Sequence, residues 1–152
     1  MEFSIDASEL TLFGEALQLA PKEMHDAVSD AIDGLLSEGV GYAREYAPVD
    51  TGALKNSIQI IQGVAAGIGG DSLSGSYGTT MEYAWQREEG GTITARNAPY
   101  LVFQINGQWV KVKSVYQEGS HYMQNSFELV QVLADDAFEA AVDRALAAFW
   151  GI

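Results

Sequence analysis

Two histidines and twenty-one carboxylates are the side chains of this 152-residue sequence best suited to acid–base or metal chemistry, and cysteine is absent. Without a thiol there is no disulfide, no thiolate zinc site, no iron–sulfur cluster and no cysteine nucleophile. Neither His25 nor His121 sits in an HExxH or comparable ligand spacing. Asp26 with Asp30, and Asp135 with Asp136, bring carboxylates close in sequence, but a solvated helix face accounts for both pairs. The stretch Gly63-Val64-Ala65-Ala66-Gly67-Ile68-Gly69-Gly70 resembles a phosphate-cradling loop only in its glycines. No helical pattern follows it, and no Lys-Ser/Thr closes it as in a P-loop. No GxSxG elbow is present. The residue types therefore predict no enzyme, no cofactor and no metal. A small hydrolase would need clustered polar groups in a cleft, which the sequence does not offer.

The elements that position these residues follow from hydrophobic period. From Pro21 to Tyr46 the spacing predicts one helix, with Pro21 suited to the first helical position. Met24, Val28, Ala31, Ile32, Leu35, Gly39, Tyr42 and Tyr46 share an apolar arc, and Glu23, Asp26, Asp30 and Asp33 lie opposite. Pro48 stops the helix by driving Ala47 out of the α region. A second helix is predicted from about Tyr122 to Phe149. Phe127, Val130, Ala134, Phe138, Ala141, Ala145 and Phe149 form its stripe, and Val132 and Trp150 fall on its acidic side.

Between the helices the period shortens. Ile58 to Gln62 reads as a strand, Thr79 to Ala84 as β-like, and Trp85 to Glu89 as one helical turn stopped by Gly90-Gly91. Residues 63–78 hold six glycines and few apolar anchors, which predicts a flexible loop or a loose hairpin. Asn106-Gly107 between two apolar runs is a strong hairpin signal. A two-residue turn there pairs Ile105 with Gln108, Phe103 with Val110 and Leu101 with Val112, giving one apolar face expected in the core. The other face carries Tyr100, Val102, Gln104, Trp109, Lys111 and Lys113, aromatic and basic. The expected fold is α+β in a single domain over residues 1–152. A small antiparallel β-sheet packs against two long amphipathic helices, in helix–sheet–helix order.

The net charge is −13. Residues 1–50 carry −9, residues 51–120 carry 0 and residues 121–152 carry −4. Such an acidic surface repels nucleic-acid phosphates and anionic membranes. No apolar run is long enough to span a bilayer, and Met1 to Asp6 lacks the regions of a signal peptide.

One segment stands out. In Ala47-Pro48-Val49-Asp50-Thr51-Gly52-Ala53-Leu54-Lys55-Asn56-Ser57-Ile58 the chain must turn from a helix into a strand. Asp50 or Thr51 can cap the next turn, Gly52 permits a close approach to the long helix, and Leu54 and Ile58 drop into the core. This segment resembles the APVDTGxLxxSI signature of the tail-completion, or minor tail component, family of long-tailed bacteriophages. Tyr83-Ala84 with Glu88 and Gly90 is similar to that family's YAxxxExG pattern. Glu89-Gly90-Gly91-Thr92-Ile93, then Leu101-Val102-Phe103 and Lys113-Ser114-Val115, resembles a third block in the expected order. The resemblance spans roughly residues 40–127. The chain departs from the pattern at Gly119-Ser120-His121-Tyr122-Met123, where members often carry an RPF segment.

The resemblance implies a head–tail connector protein of the virion neck, assembled in the host cytoplasm. It implies a homo-oligomeric ring of six copies, contacts with other neck and tail proteins, DNA only as non-specific cargo through a channel, and no membrane partner. The motif residues Pro48, Asp50, Thr51, Gly52, Leu54, Ser57, Ile58, Tyr83, Ala84, Glu88 and Gly90 are expected to build a structural corner, with Glu88 also suited to bridging subunits. Tyr100, Trp109, Lys111, Lys113 and Trp150 are the candidate subunit interface. The alternative from charge alone is an acidic DNA mimic that occupies a basic partner.

Overall fold

A computed structural model of the chain describes residues 1–6, 21–50, 52–66 and 73–151. Its elements, in chain order, are β1 (Glu2–Asp6), α1 (Pro21–Tyr46), α2 (Ala53–Ser57), β2 (Gln59–Ala66), β3 (Leu73–Gly78), α3 (Ala84–Glu89), β4 (Gly90–Thr94), β5 (Leu101–Ile105), β6 (Gln108–Val112), β7 (Ser114–Glu118) and α4 (Tyr122–Trp150). The fold is α+β, with small antiparallel sheets.

The strands do not form one sheet. β1, β3 and β2 make a three-stranded antiparallel sheet with β3 in the centre, β4 pairs with β7, and β5 pairs with β6. A strand also precedes the first long helix, so the helix–sheet–helix order holds only from α1 onward.

The body is the three-stranded sheet covered by α1, with α1 packed along α4. Met24, Val28, Ala31, Ile32, Leu35 and Leu36 of α1 are buried, together with Val130, Phe138, Ala141 and Ala145 of α4. Tyr42 and Tyr46 leave the core, and Leu36, Ala43 and Ala47 take their place. The acids Asp26, Asp30 and Asp33 face solvent.

Of the two expectations for 63–78, the described residues correct the flexible loop and agree with the loose hairpin, since β2 and β3 pair antiparallel with two shifts of register. Residues 63–66 complete β2, and 73–78 are the central strand β3, whose residues are nearly all buried. Residues 67–72 lie outside the described residues. Glycine and serine serve this strand because its neighbours come so close. A Cβ on Gly75 would stand 2.6 Å from Leu36 Cδ1, and one on Gly78 would stand 2.1 Å from the Met1 carbonyl oxygen. Tyr77 is the one large aromatic of β3, and its ring lies against Gly39, where a Cβ would fall 2.5 Å from Cε1. The β-like expectation for 79–84 also fails. The chain turns there, Ala84 N–H donating to the Met81 carbonyl at 3.1 Å, and α3 begins at Ala84.

Candidate functional site: a corner and a projecting hairpin

The Pro48–Ile58 segment builds a corner. α1 ends at Tyr46, and Gly52 takes the left-handed conformation (φ 81°) that opens α2 and that side chains with a Cβ disfavour. Among the described residues Gly52 is uncrowded: a Cβ there would meet Asn56 Nδ2 alone, at 3.7 Å. Glycine is needed for its dihedral angle and not for the expected close approach. Gly52 stands at the N-cap position of α2 and has no side chain with which to cap it. Of the two expected caps, Thr51 lies outside the described residues, and Asp50 turns instead toward Arg87. Asp50 is exposed, with Oδ2 3.8 Å from Arg87 Nη2, a surface pair of little energetic weight.

Leu54 and Ile58 are buried. Arg44 Nε and Nη2 donate to the Ile58 carbonyl at 3.0 and 2.7 Å, fastening the end of α1 to the start of β2. Ser57 Oγ donates to the Leu54 carbonyl at 2.6 Å, so in its 2.6 Å bond with Thr79 Oγ1 the threonine is the donor. Pro48, Asp50, Gly52, Leu54, Tyr83 and Arg87 line a shallow hollow of about 280 Å³ beside the corner. Its exposed Tyr83 precedes the buried Ala84.

Glu88 does something that sequence reasoning missed. It is 2% exposed. Its Oε2 accepts from the Met123 backbone N–H and its Oε1 from the Gln124 N–H, each at 2.8 Å. A carboxylate from a different element thus caps the 29-residue helix α4, where the helix dipole favours negative charge. His121, at the N-cap position with φ 51°, supplies no side-chain cap of its own. The clasp is closed by Ser120 N–H to the Arg87 carbonyl at 2.9 Å and His121 N–H to the Glu88 carbonyl at 3.1 Å. Gly90 (φ 74°) stops α3 and lies against Gly119, whose backbone nitrogen would be 2.4 Å from a Cβ. The expected role of Glu88 as a subunit bridge is corrected by this burial.

Two phenols sit near this carboxylate. Burial pushes the Tyr122 hydroxyl up to about 12, with the Glu88 charge adding to the effect. Burial also raises Tyr77, whose hydroxyl lies 2.9 Å from Ser126 Oγ. Ser126 Oγ donates to the Met123 carbonyl at 2.7 Å, so Tyr77 is the donor to Ser126.

The β5–β6 hairpin has the register the turn dictates: Ile105 opposite Gln108, Phe103 opposite Val110, Leu101 opposite Val112. Asn106 (φ 52°) and Gly107 (φ 80°) both have the positive φ of a type I′ turn. The expected core face is not in the core. Leu101, Phe103, Val110 and Val112 are half-buried, Ile105 is exposed, and among the described residues no other element packs extensively on the hairpin. On the outer face Trp109 is 71% exposed, and Lys111 Nζ lies 4.4 Å from the centre of the Tyr100 ring, a cation–π contact. Lys113 is exposed. Trp150 is 69% exposed and meets Phe149 edge-on, with centroids 5.3 Å apart. The structure therefore gathers Tyr100, Trp109 and Lys111 on one arm, and places Trp150 at the end of α4.

Protein-family models, curated proteins and solved structures return no match to this chain.

For chemistry, the described residues bring no three His, Asp or Glu side chains together as a metal site. His25 is exposed with Nδ1 3.8 Å from Asp26 Oδ1, and His121 is exposed. Residues 63–66 of the glycine-rich stretch belong to an extended strand. Among the described residues no helix is long and apolar enough to cross a membrane. The arrangement presents surfaces: a basic, aromatic arm and an acidic helix pair.

Proposed function

We propose that the chain is a virion structural protein of the phage neck or tail, acting in tail completion and in joining the tail to a DNA-filled head. It works by complementary surfaces and not by catalysis, as a closed ring of six copies around the DNA channel, assembled in the host cytoplasm. The observation that carries this reading is the projecting hairpin. Val102, Ile105 and Trp109 stand in water on an element that the body does not cover, and an exposed apolar patch of this kind marks an interaction surface. The three ordered sequence blocks support the family. The net charge of −13 suits a channel through which DNA passes without adhering.

The test is co-expression with the products of the adjacent phage genes, followed by sizing and electron microscopy. Annular particles containing a neck or tail partner are expected; a chain that joins no neck or tail protein refutes the reading. The exposed acids of α1 favour one second reading, an acidic DNA mimic. Tight binding to a DNA-binding enzyme or repressor, lost when Asp26, Asp30 and Asp33 become Asn, would select it.

A further inference from the structure

We infer that the β5–β6 arm of one copy seats in the groove between α1 and α4 of a second copy. This rests on the ring reading and names the two surfaces that would close it. Residues 90–117 contain no acid and three bases, Arg96, Lys111 and Lys113, in a chain of net charge −13. The arm is thus the one long basic stretch, and Trp109, Val102 and Ile105 add apolar surface to it.

The α1/α4 groove has the complementary character. It comprises two adjoining hollows of about 440 and 280 Å³ that share Asp30 and Arg144. Its floor is Ala31, Leu35, Leu133 and Ala137, and its rim carries Glu23, Asp26, Asp30 and Glu38. The helices carry −4 each. The neighbouring hollow at Tyr46, Leu129 and Val132 has Glu128 as its one acid and offers the lysines less.

Gly34 agrees with this assignment. An exposed glycine inside a helix costs about 1 kcal/mol relative to alanine. Among the described residues, nothing beyond its neighbours and its own helix backbone lies within 4 Å of where a Cβ would stand. The groove is left open at that point, and the arm needs the room. Arm and groove are different surfaces, so the contact is head-to-tail and closes into a ring when its rotation permits. Lys111 and Lys113 would face the rim carboxylates while the Trp109 indole lies on the apolar floor.

The test uses the full chain and two variants. Trp109→Ala with Lys111→Glu removes the arm's anchor and keeps the groove. Gly34→Leu fills the groove and keeps the arm, and as a better helix former it should hold or raise the melting temperature. By sedimentation velocity, each variant alone should self-associate about tenfold or more weakly than the unaltered chain, as loss of an aromatic anchor does. Mixed in equal amounts, the two variants should form a dimer that grows no further, since each contributes the one surface the other retains. High salt should weaken the unaltered contact.

Gly34→Leu that self-associates like the unaltered chain, as it would if the groove served another protein, overturns the inference. So does a mixture that forms no dimer. Either result leaves the neck reading standing if co-assembly with neighbouring gene products succeeds. Failure of that co-assembly with the mixed dimer intact overturns the neck reading alone.

Discussion

Replacing Glu88 separates two accounts of the same residue. If it caps α4, Glu88→Ala strands the buried N–H of Met123 and the partly buried N–H of Gln124, which now bond its two oxygens at 2.8 Å. Each unsatisfied buried donor costs about 1–3 kcal/mol. Loss of the charge at the helix N-terminus adds about 0.3–2 kcal/mol. The sum of about 2–8 kcal/mol is a large share of the 5–15 kcal/mol or so that holds a typical domain together. Glu88→Gln keeps one acceptor oxygen and should cost about half as much. Urea unfolding followed by circular dichroism gives the two values, and hydrogen exchange at Met123 and Gln124 shows whether the loss is local. If Glu88 instead bridged subunits, the monomer's urea midpoint would not move and only association would weaken. Equal midpoints for Glu88→Ala, Glu88→Gln and the unaltered chain would refute the capping account.

Four further outcomes are expected. Leu54→Ala should lower stability by about 2–5 kcal/mol in urea, as removal of a buried leucine does, because Leu54 is 4% exposed. Gly39→Ala would ordinarily favour a helix by about 1 kcal/mol, yet here it should lower the melting temperature, since the new Cβ meets the Tyr77 ring at 2.5 Å. Gly107→Val forces a branched residue to φ 80° at about 1–3 kcal/mol. Nuclear Overhauser contacts between Phe103 and Val110 should vanish while the body's melting temperature stays nearly constant. The Tyr122 hydroxyl is raised in the folded state to about 12, against about 10 when unfolded. Its contribution to stability is therefore intact below pH 10 and lost as pH rises from about 10 to 12, and in Tyr122→Phe that alkaline decline, followed by circular dichroism, should be shallower.

Local signals carried the helices and the hairpin. Pro21 and Pro48 bracket α1 whatever the rest of the chain does, and Asn106-Gly107 fixes a register by itself. β3 was illegible because Leu73-Ser-Gly-Ser-Tyr-Gly has the composition of a loop. Its small residues answer to Leu36 and Met1 pressing in from elsewhere, which no local window contains. Glu88 was illegible for a related reason. A capping box places its acid within three residues of the helix start, but this cap is made from 35 residues away. At the hairpin the alternation was right and the conclusion was not, since period tells which side chains share a face and not whether another layer covers it. The corner was half legible: Leu54 and Ile58 are core as expected, whereas Gly52 serves through its left-handed backbone and not through the expected close approach.

The central position of β3 has a kinetic consequence. Its partner β1 lies far away in the chain, with the Ser76 hydroxyl donating to a Glu2 carboxylate 74 residues distant. Bringing such ends together costs loop-closure entropy before any bond repays it, and long-range strand pairing slows folding. The hairpin and the helices, whose contacts are local, can form within microseconds. The three-stranded sheet must wait for β1 to find β3, and until then the apolar stripe of α1 has only part of its cover. Refolding should therefore show early helical signal and late burial of Tyr77. The interval between them is when the chain is most open to aggregation.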